Sequence, residues 1–130
     1  MSAADPLVPD APPDPPDFTV TAERLDRTVS ARLVGTADLS TKKVLDEFLE
    51  RLHEEARTHG AAEVVVDFRE LKFMNSSCLK GLVTWICAVQ ELPADKRYRI
   101  ILVSSPEMRW QRRSLHALWC LATDLVSIQT

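Results

Sequence analysis

Four consecutive side chains, Asn75-Ser76-Ser77-Cys78, place an amide, two hydroxyls and a thiol directly before an apolar helical stripe. Small oxygen-bearing side chains at a helix start cap its unpaired amides. A hydroxyl at that position is also a natural phosphate acceptor, because the positive end of the helix dipole tolerates the added charge. Cys78 stands where a helix dipole lowers a thiol pKa, but no histidine is near it in sequence, so a packed thiol is the economical reading. Cys78, Cys87 and Cys120 are odd in number and form no CxxC pair, which reads as reduced thiols of a cytoplasmic protein. His53, His59 and His116 are scattered, with no neighbouring ligand recognised at metal spacing. With no catalytic constellation, metal set or cofactor motif in view, these residues suit a bound or modified surface better than an enzyme.

Arg109-Trp110-Gln111-Arg112-Arg113 is the one dense basic cluster. It suits an acidic partner surface, and Trp110 is the tryptophan expected to be exposed for that duty, whereas Trp85 and Trp119 sit beside apolar stripes and read as core. No glycine-rich phosphate loop accompanies the cluster, so nucleic acid is not the expected partner. Of 19 acids and 16 bases, the first 17 residues hold Asp5, Asp10, Asp14 and Asp17 and no base. The rest of the chain therefore carries 15 acids against 16 bases and has no general attraction for polyanions.

Those first 17 residues also hold six of the eight prolines, with only Leu7 and Val8 as sizeable apolar side chains. Proline removes a backbone donor and pushes its neighbour towards extended conformations, so residues 1–17 read as a disordered or polyproline-like leader. Residues 18–130 read as one domain. No run approaches the ~20 apolar residues of a membrane helix, and the N-terminus lacks the basic start and apolar run of a secretion signal.

The elements that would position the polar loop follow from periodicity. Phe18, Val20 and Ala22, then Val29, Ala31 and Leu33, alternate with polar neighbours about Asp26-Arg27, the pattern of a hairpin. After a turn at Gly35-Thr36-Ala37-Asp38, residues 41–58 form a helix with Val44, Leu45, Phe48, Leu49, Leu52 and Ala56 on one face, ended by Gly60. Val64-Val65-Val66 reads as a strand covered on both faces, with residues 67–73 as a connection. A second helix starts near Ser76, with Leu79, Leu82, Val83 and Ile86 as its stripe, and Pro93 lies in the loop beyond it. Residues 98–103 form another buried strand. Ser105-Pro106-Glu107 has the composition of a helix start, for a helix burying Met108, Leu115, Leu118 and Trp119, and residues 125–128 close the chain as a strand. Alternation of this kind predicts an α/β fold: a mixed, mostly parallel sheet of about five strands packed by three to four helices.

This order, with the loop between the central strand and second helix, resembles the STAS domain of anti-sigma factor antagonists and sulfate transporter tails. The resemblance spans residues 18–129. It is carried by residues 32–39, by Val64-Val65-Val66-Asp67-Phe68 followed by residues 71–79, and by Ile101-Leu102-Val103 with Ser105-Pro106-Glu107-Met108. The family's loop reads Asp-Ser-Ser/Thr-Gly-Leu; Asn75 stands here for its aspartate and Cys78 for its glycine. The resemblance implies a bacterial partner-switching regulator of transcription. Its partner would be an anti-sigma factor that is also a serine kinase of the GHKL type, its phospho-acceptor Ser76 with Ser77 beside it. It further implies a partner surface drawn from Asp38, Asn75, Ser76, Ser77, Cys78 and Lys80, to which the basic cluster adds Arg109 and Trp110. The chain would be a monomer or weak homodimer without a cofactor. Two alternatives share the fold: a non-phosphorylated scaffold or accessory subunit of a signalling or lipid-transport complex, and a nucleotide- or lipid-binding module.

Overall fold

The computed structural model describes residues 18–130; the expected leader, residues 1–17, lies outside the described residues. The order is β1 (Phe18–Leu25), β2 (Thr28–Ala37), a 3-10 turn (Leu39–Thr41), α1 (Lys42–Thr58), β3 (Glu63–Met74), α2 (Ser76–Gln90), a 3-10 turn (Ala94–Lys96), β4 (Arg99–Val103), α3 (Arg109–Leu121) and β5 (Val126–Gln129). The α/β class and the five-strand count match the expectation. Leu25 pairs with Thr28 across a two-residue turn whose Asp26 has φ 57°, a left-handed conformation that aspartate tolerates. β1 and β2 are antiparallel; β2, β3, β4 and β5 run parallel in chain order, with one α-helix in each crossover.

The core lies on one face of the sheet. Val29, Ala31 and Leu33, Val64, Val66 and Phe68, and Ile100 and Leu102 are buried there against Leu45, Leu49 and Leu52 of α1, Leu82 and Ile86 of α2, and Leu115 and Leu118 of α3. On the other face Ser30 and Arg32 are exposed, while Val65, Asp67, Ile101 and Val103 are half-buried. Among the described residues no second layer covers this face, which corrects the expectation of strands covered on both sides. A short β-branched run favours the pleated strand for its packing along the sheet, which does not require a second layer.

Residues 67–73, expected as a connection, continue β3 to Met74. β2 follows it: after a register shift at Arg32/Val34, Gly35 pairs with Leu71, and after a second at Gly35/Thr36, Thr36 pairs with Phe73 and Ala37 with Met74. β4 stops at Val103, opposite Asp67, so β3 loses its other strand neighbour there. Gln111, fully buried in α3, replaces it. Its Nε2 donates to the carbonyls of Phe68 (2.6 Å) and Leu71 (3.0 Å), and its Oε1 accepts from the Ser105 amide at 2.8 Å.

Gln111 also corrects α3. The helix starts at Arg109, not Ser105, with Met108 as an N-cap that offers no side-chain bond. Ser105 instead closes a turn, its carbonyl accepting from the Met108 amide. With Gln111 inward, the buried stripe is Gln111, Leu115 and Leu118, with Ala122 just beyond the helix. That phase turns Trp119 outward, 36% exposed, and packs Trp110 half-buried against the core, where its Nε1 has no partner among the described residues. Both tryptophan expectations are reversed. In α1, Leu45, Leu49, Leu52 and Ala56 are buried as expected, but Val44 is exposed and Phe48 half-buried.

Gln111→Leu keeps the bulk but strips two buried carbonyls and the part-buried Ser105 amide of their partner. It is expected to destabilise the fold by about 2–4 kcal/mol, read as a lower urea midpoint at unchanged slope, with exposed Arg112→Ala within about 0.5 kcal/mol of wild type.

Candidate functional site

The β2–β3 pairing delivers two loops to one end of the sheet. Ala37 and Met74 are its last pair, so Asp38 and Asn75 leave the sheet side by side, and the Asn75 amide donates to the Ala37 carbonyl at 2.9 Å. Each loop is organised by its own capping residue. Asp38 accepts from the Ser40 amide (3.0 Å) and hydroxyl (2.6 Å), while its own amide donates to Thr41 Oγ1 (2.9 Å). The Ser40 hydroxyl first, with the loop amides, holds the Asp38 carboxyl below the ordinary range despite some desolvation.

Asn75, not Ser76, is the N-cap of α2. Its backbone is extended (φ −81°, ψ 171°), and its Oδ1 accepts from the Cys78 amide at 2.9 Å. Ser76 is therefore the first helical residue, exposed, with no hydrogen bond to its hydroxyl among the described residues. Ser77, half-buried, lies one position on. The expectation that Ser76 caps the helix is corrected, and the capping by Asn75 is what leaves its hydroxyl unengaged.

Cys78 does not join the surface. It is fully buried, and its Sγ lies 3.4 Å from the Asp38 carbonyl oxygen, joining the two loops from beneath. Burial pushes the thiol pKa up, overriding the lesser effect of Lys42. A buried thiol against a carbonyl, with no base on it, is not an activated nucleophile. The expectation of Cys78 as a partner contact is corrected too: in place of glycine it fills space inside.

Lys80 is exposed one turn after Ser76 and, with Ser77, lines a groove of about 540 Å³ between α1 and α2. Lys42, Asp46, Glu50 and His53 form the groove's α1 wall. The two helices meet closely at Gly81, where a Cβ would come within 2.6 Å of Asp46 Oδ1; Asp46 is in turn held by Lys42. Arg109 is exposed on the loop end of α3, at the same end of the sheet. Among the described residues no hydrogen bond or ion pair ties Arg109 or Trp110 to the Asp38–Asn75 loops, and half-buried Trp110 serves packing.

Two arrangements were missed in the sequence. Tyr98, buried, accepts from Trp85 Nε1 at 2.8 Å, and its hydroxyl shares a second hydrogen bond with His53 Nδ1, 2.7 Å away. His53 is 45 positions from Tyr98, and no local pattern announces the pair. The second is His116 and Cys120, whose Nε2 and Sγ lie 3.5 Å apart on the exposed side of α3. Their i, i+4 spacing was legible, and the expectation that no histidine has a neighbouring ligand is corrected for His116. Among the described residues no group of three or more His, Cys, Asp or Glu side chains could hold a metal ion, and no helix is long and apolar enough to cross a membrane.

No family model and no curated protein matches the sequence. Solved structures do. An anti-sigma factor antagonist from Mycobacterium paratuberculosis superposes with a TM-score of 0.65 at 17% identity, over 88% of each chain. The Bacillus cell fate determinant SpoIIAA in its phosphorylated form gives 0.55 at 18% identity, over 86% of this chain and 92% of that one. The anti-sigma factor antagonist SpoIIAA in its unphosphorylated form gives 0.55 at 20% identity, over 86% and 89%. The fold is that of the anti-sigma factor antagonists. At these identities the likeness establishes the STAS-type architecture, in agreement with the resemblance read from the loop.

Two outcomes check the site. Asn75→Ala removes the α2 cap and should cost about 1 kcal/mol of stability, measured by urea unfolding. For His53, burial first and then the Arg57 charge depress the pKa below 6.5, with Glu54 opposing. A histidine that prefers to be neutral when folded binds fewer protons than when unfolded. Its contribution to stability is complete above the unfolded value and is lost as pH falls through the lower folded one. Melting temperatures between about pH 8 and pH 5 should fall on the acid side more steeply for wild type than for His53→Gln.

Proposed function

We propose that this protein is a partner-switching regulator: it binds an anti-sigma factor that is also a GHKL-type serine kinase, and phosphorylation of Ser76 controls the complex. The single observation that carries this reading is the exposed, unengaged hydroxyl of Ser76 on the first turn of α2, beside the Asp38 loop. A kinase can reach that hydroxyl without unfolding anything, because the cap it would otherwise supply comes from Asn75. The partner face comprises Asp38, Asn75, Ser76, Ser77 and Lys80, with Arg109 at its margin. The phosphorylated and unphosphorylated forms of SpoIIAA, which share the fold, support a modification-dependent reading. The setting is a bacterial cytoplasm and the output is transcription.

A phosphate on Ser76 adds about −1.5 to −2 charges. The α2 dipole tolerates it in the free protein, whereas in a closed interface an unpaired buried charge costs several kcal/mol. About 3 kcal/mol is already more than a hundredfold in affinity, so one phosphate suffices to part the complex.

A second reading keeps the face and drops the switch: a constitutive scaffold or accessory subunit. It is favoured by Asn75, which fills the aspartate position of the family loop and is committed to the cap, leaving no carboxylate directly beside Ser76.

Incubation with the cognate kinase and ATP should place one phosphate on Ser76 by mass spectrometry, and Ser76→Asp should weaken the complex more than a hundredfold while Ser76→Ala binds as wild type. An unmodified Ser76 together with equal binding of both variants decides for the constitutive scaffold.

A further inference from the structure

The outer side of α3 is used neither by the core nor by the proposed switch face. His116 and Cys120 lie there on one ridge, both exposed, with Nε2 and Sγ 3.5 Å apart. Two donors bound to one tetrahedral zinc, at ordinary Zn–S and Zn–N lengths, are separated by about 3.5 Å. The pair is thus spaced as one edge of a zinc coordination tetrahedron. Trp119 lies against the His116 ring, 5.4 Å between centroids, which limits its rotation. The pair is only half a donor set, because no third or fourth ligand joins it among the described residues.

We propose that His116 and Cys120 are a zinc half-site completed by the same two residues of a second copy of this chain, giving a Cys2His2 centre across a two-fold axis. Self-pairing supplies four ligands from one surface, the defining property of an isologous contact. Each Cys120 thiol releases its proton to solvent as its Zn–S bond forms, so two thiolates and two neutral imidazoles leave Zn(II) with no net charge. The surroundings suit a second copy. Ala117, Trp119 and Leu121 are exposed beside the pair, with Leu121 45% exposed, and would be covered by their counterparts. This apolar strip is far smaller than the ~1,000 Å² of a lasting protein interface, so pairing depends on the metal.

The test uses the full chain in a phosphine reductant that does not bind zinc, with light scattering read at increasing Zn(II) and after a chelator. The expected result is a mass rising from the 14.6 kDa monomer to twice that value, at one zinc per two chains, and reversing with chelator. Cobalt(II) in place of zinc should show a thiolate charge-transfer band, lost in Cys120→Ser. Cys120→Ser and His116→Gln should each stay monomeric in zinc while melting as wild type does, since both side chains are exposed. A wild-type chain that stays monomeric in zinc, a dimer that survives the chelator, or one retained by both variants overturns the proposal.

Discussion

The parallel pairing of β2 with β3, carried past the point where β4 ends, is the constraint on which the rest depends. Ending that ladder at Asp67 would leave Ala37 and Met74 apart, and the Asp38 loop would not meet the start of α2. The extension requires two register shifts in the ladder and leaves the far edge of β3 without a strand. Buried Gln111 supplies the missing donors to Phe68 and Leu71, which is why a glutamine occupies an otherwise apolar face of α3. One side chain thus joins the third helix to the strand that presents the site.

Above that framework, charge and hydrogen bonding divide the work between neighbours. Asn75 caps, Cys78 packs, and Ser76 is left exposed with nothing to hold. Asn75 satisfies the Cys78 amide with a neutral side chain and so adds no charge beside the Ser76 hydroxyl. The buried Cys78 and the Asp38 carbonyl join the loops from below. On the sheet face away from the helices, Arg32, Asp67, Arg69 and Glu70 form surface ion pairs among the described residues, which contribute little to stability.

Much of this was legible in the residues. The strand–helix alternation, the hairpin about Asp26-Arg27, the stop at Gly60 and the start of a helix near Ser76 follow from local chemistry. So does the polar loop itself, because small polar side chains before an apolar stripe mark a helix start whatever the fold. Local reasoning misjudged matters that depend on remote neighbours: the cap went to Asn75 because its backbone leaves β3 extended, and α3 turned by the angle that brings Gln111 inward. That rotation exchanged the fates of Trp110 and Trp119. Hydropathy cannot anticipate it, since a glutamine reads as surface until the carbonyls it serves are known.

The sequence by itself determined the class of fold and the place of the loop, because helix and strand periods, caps and breakers act over a few residues. Only the tertiary structure decided which side chains of that loop are exposed, which sheet face the helices cover, and that His53, Tyr98 and Trp85 share one hydrogen-bonded cluster. Those outcomes turn on pairing between segments tens of residues apart, where geometry is set by how strands register and helices rotate against a common core.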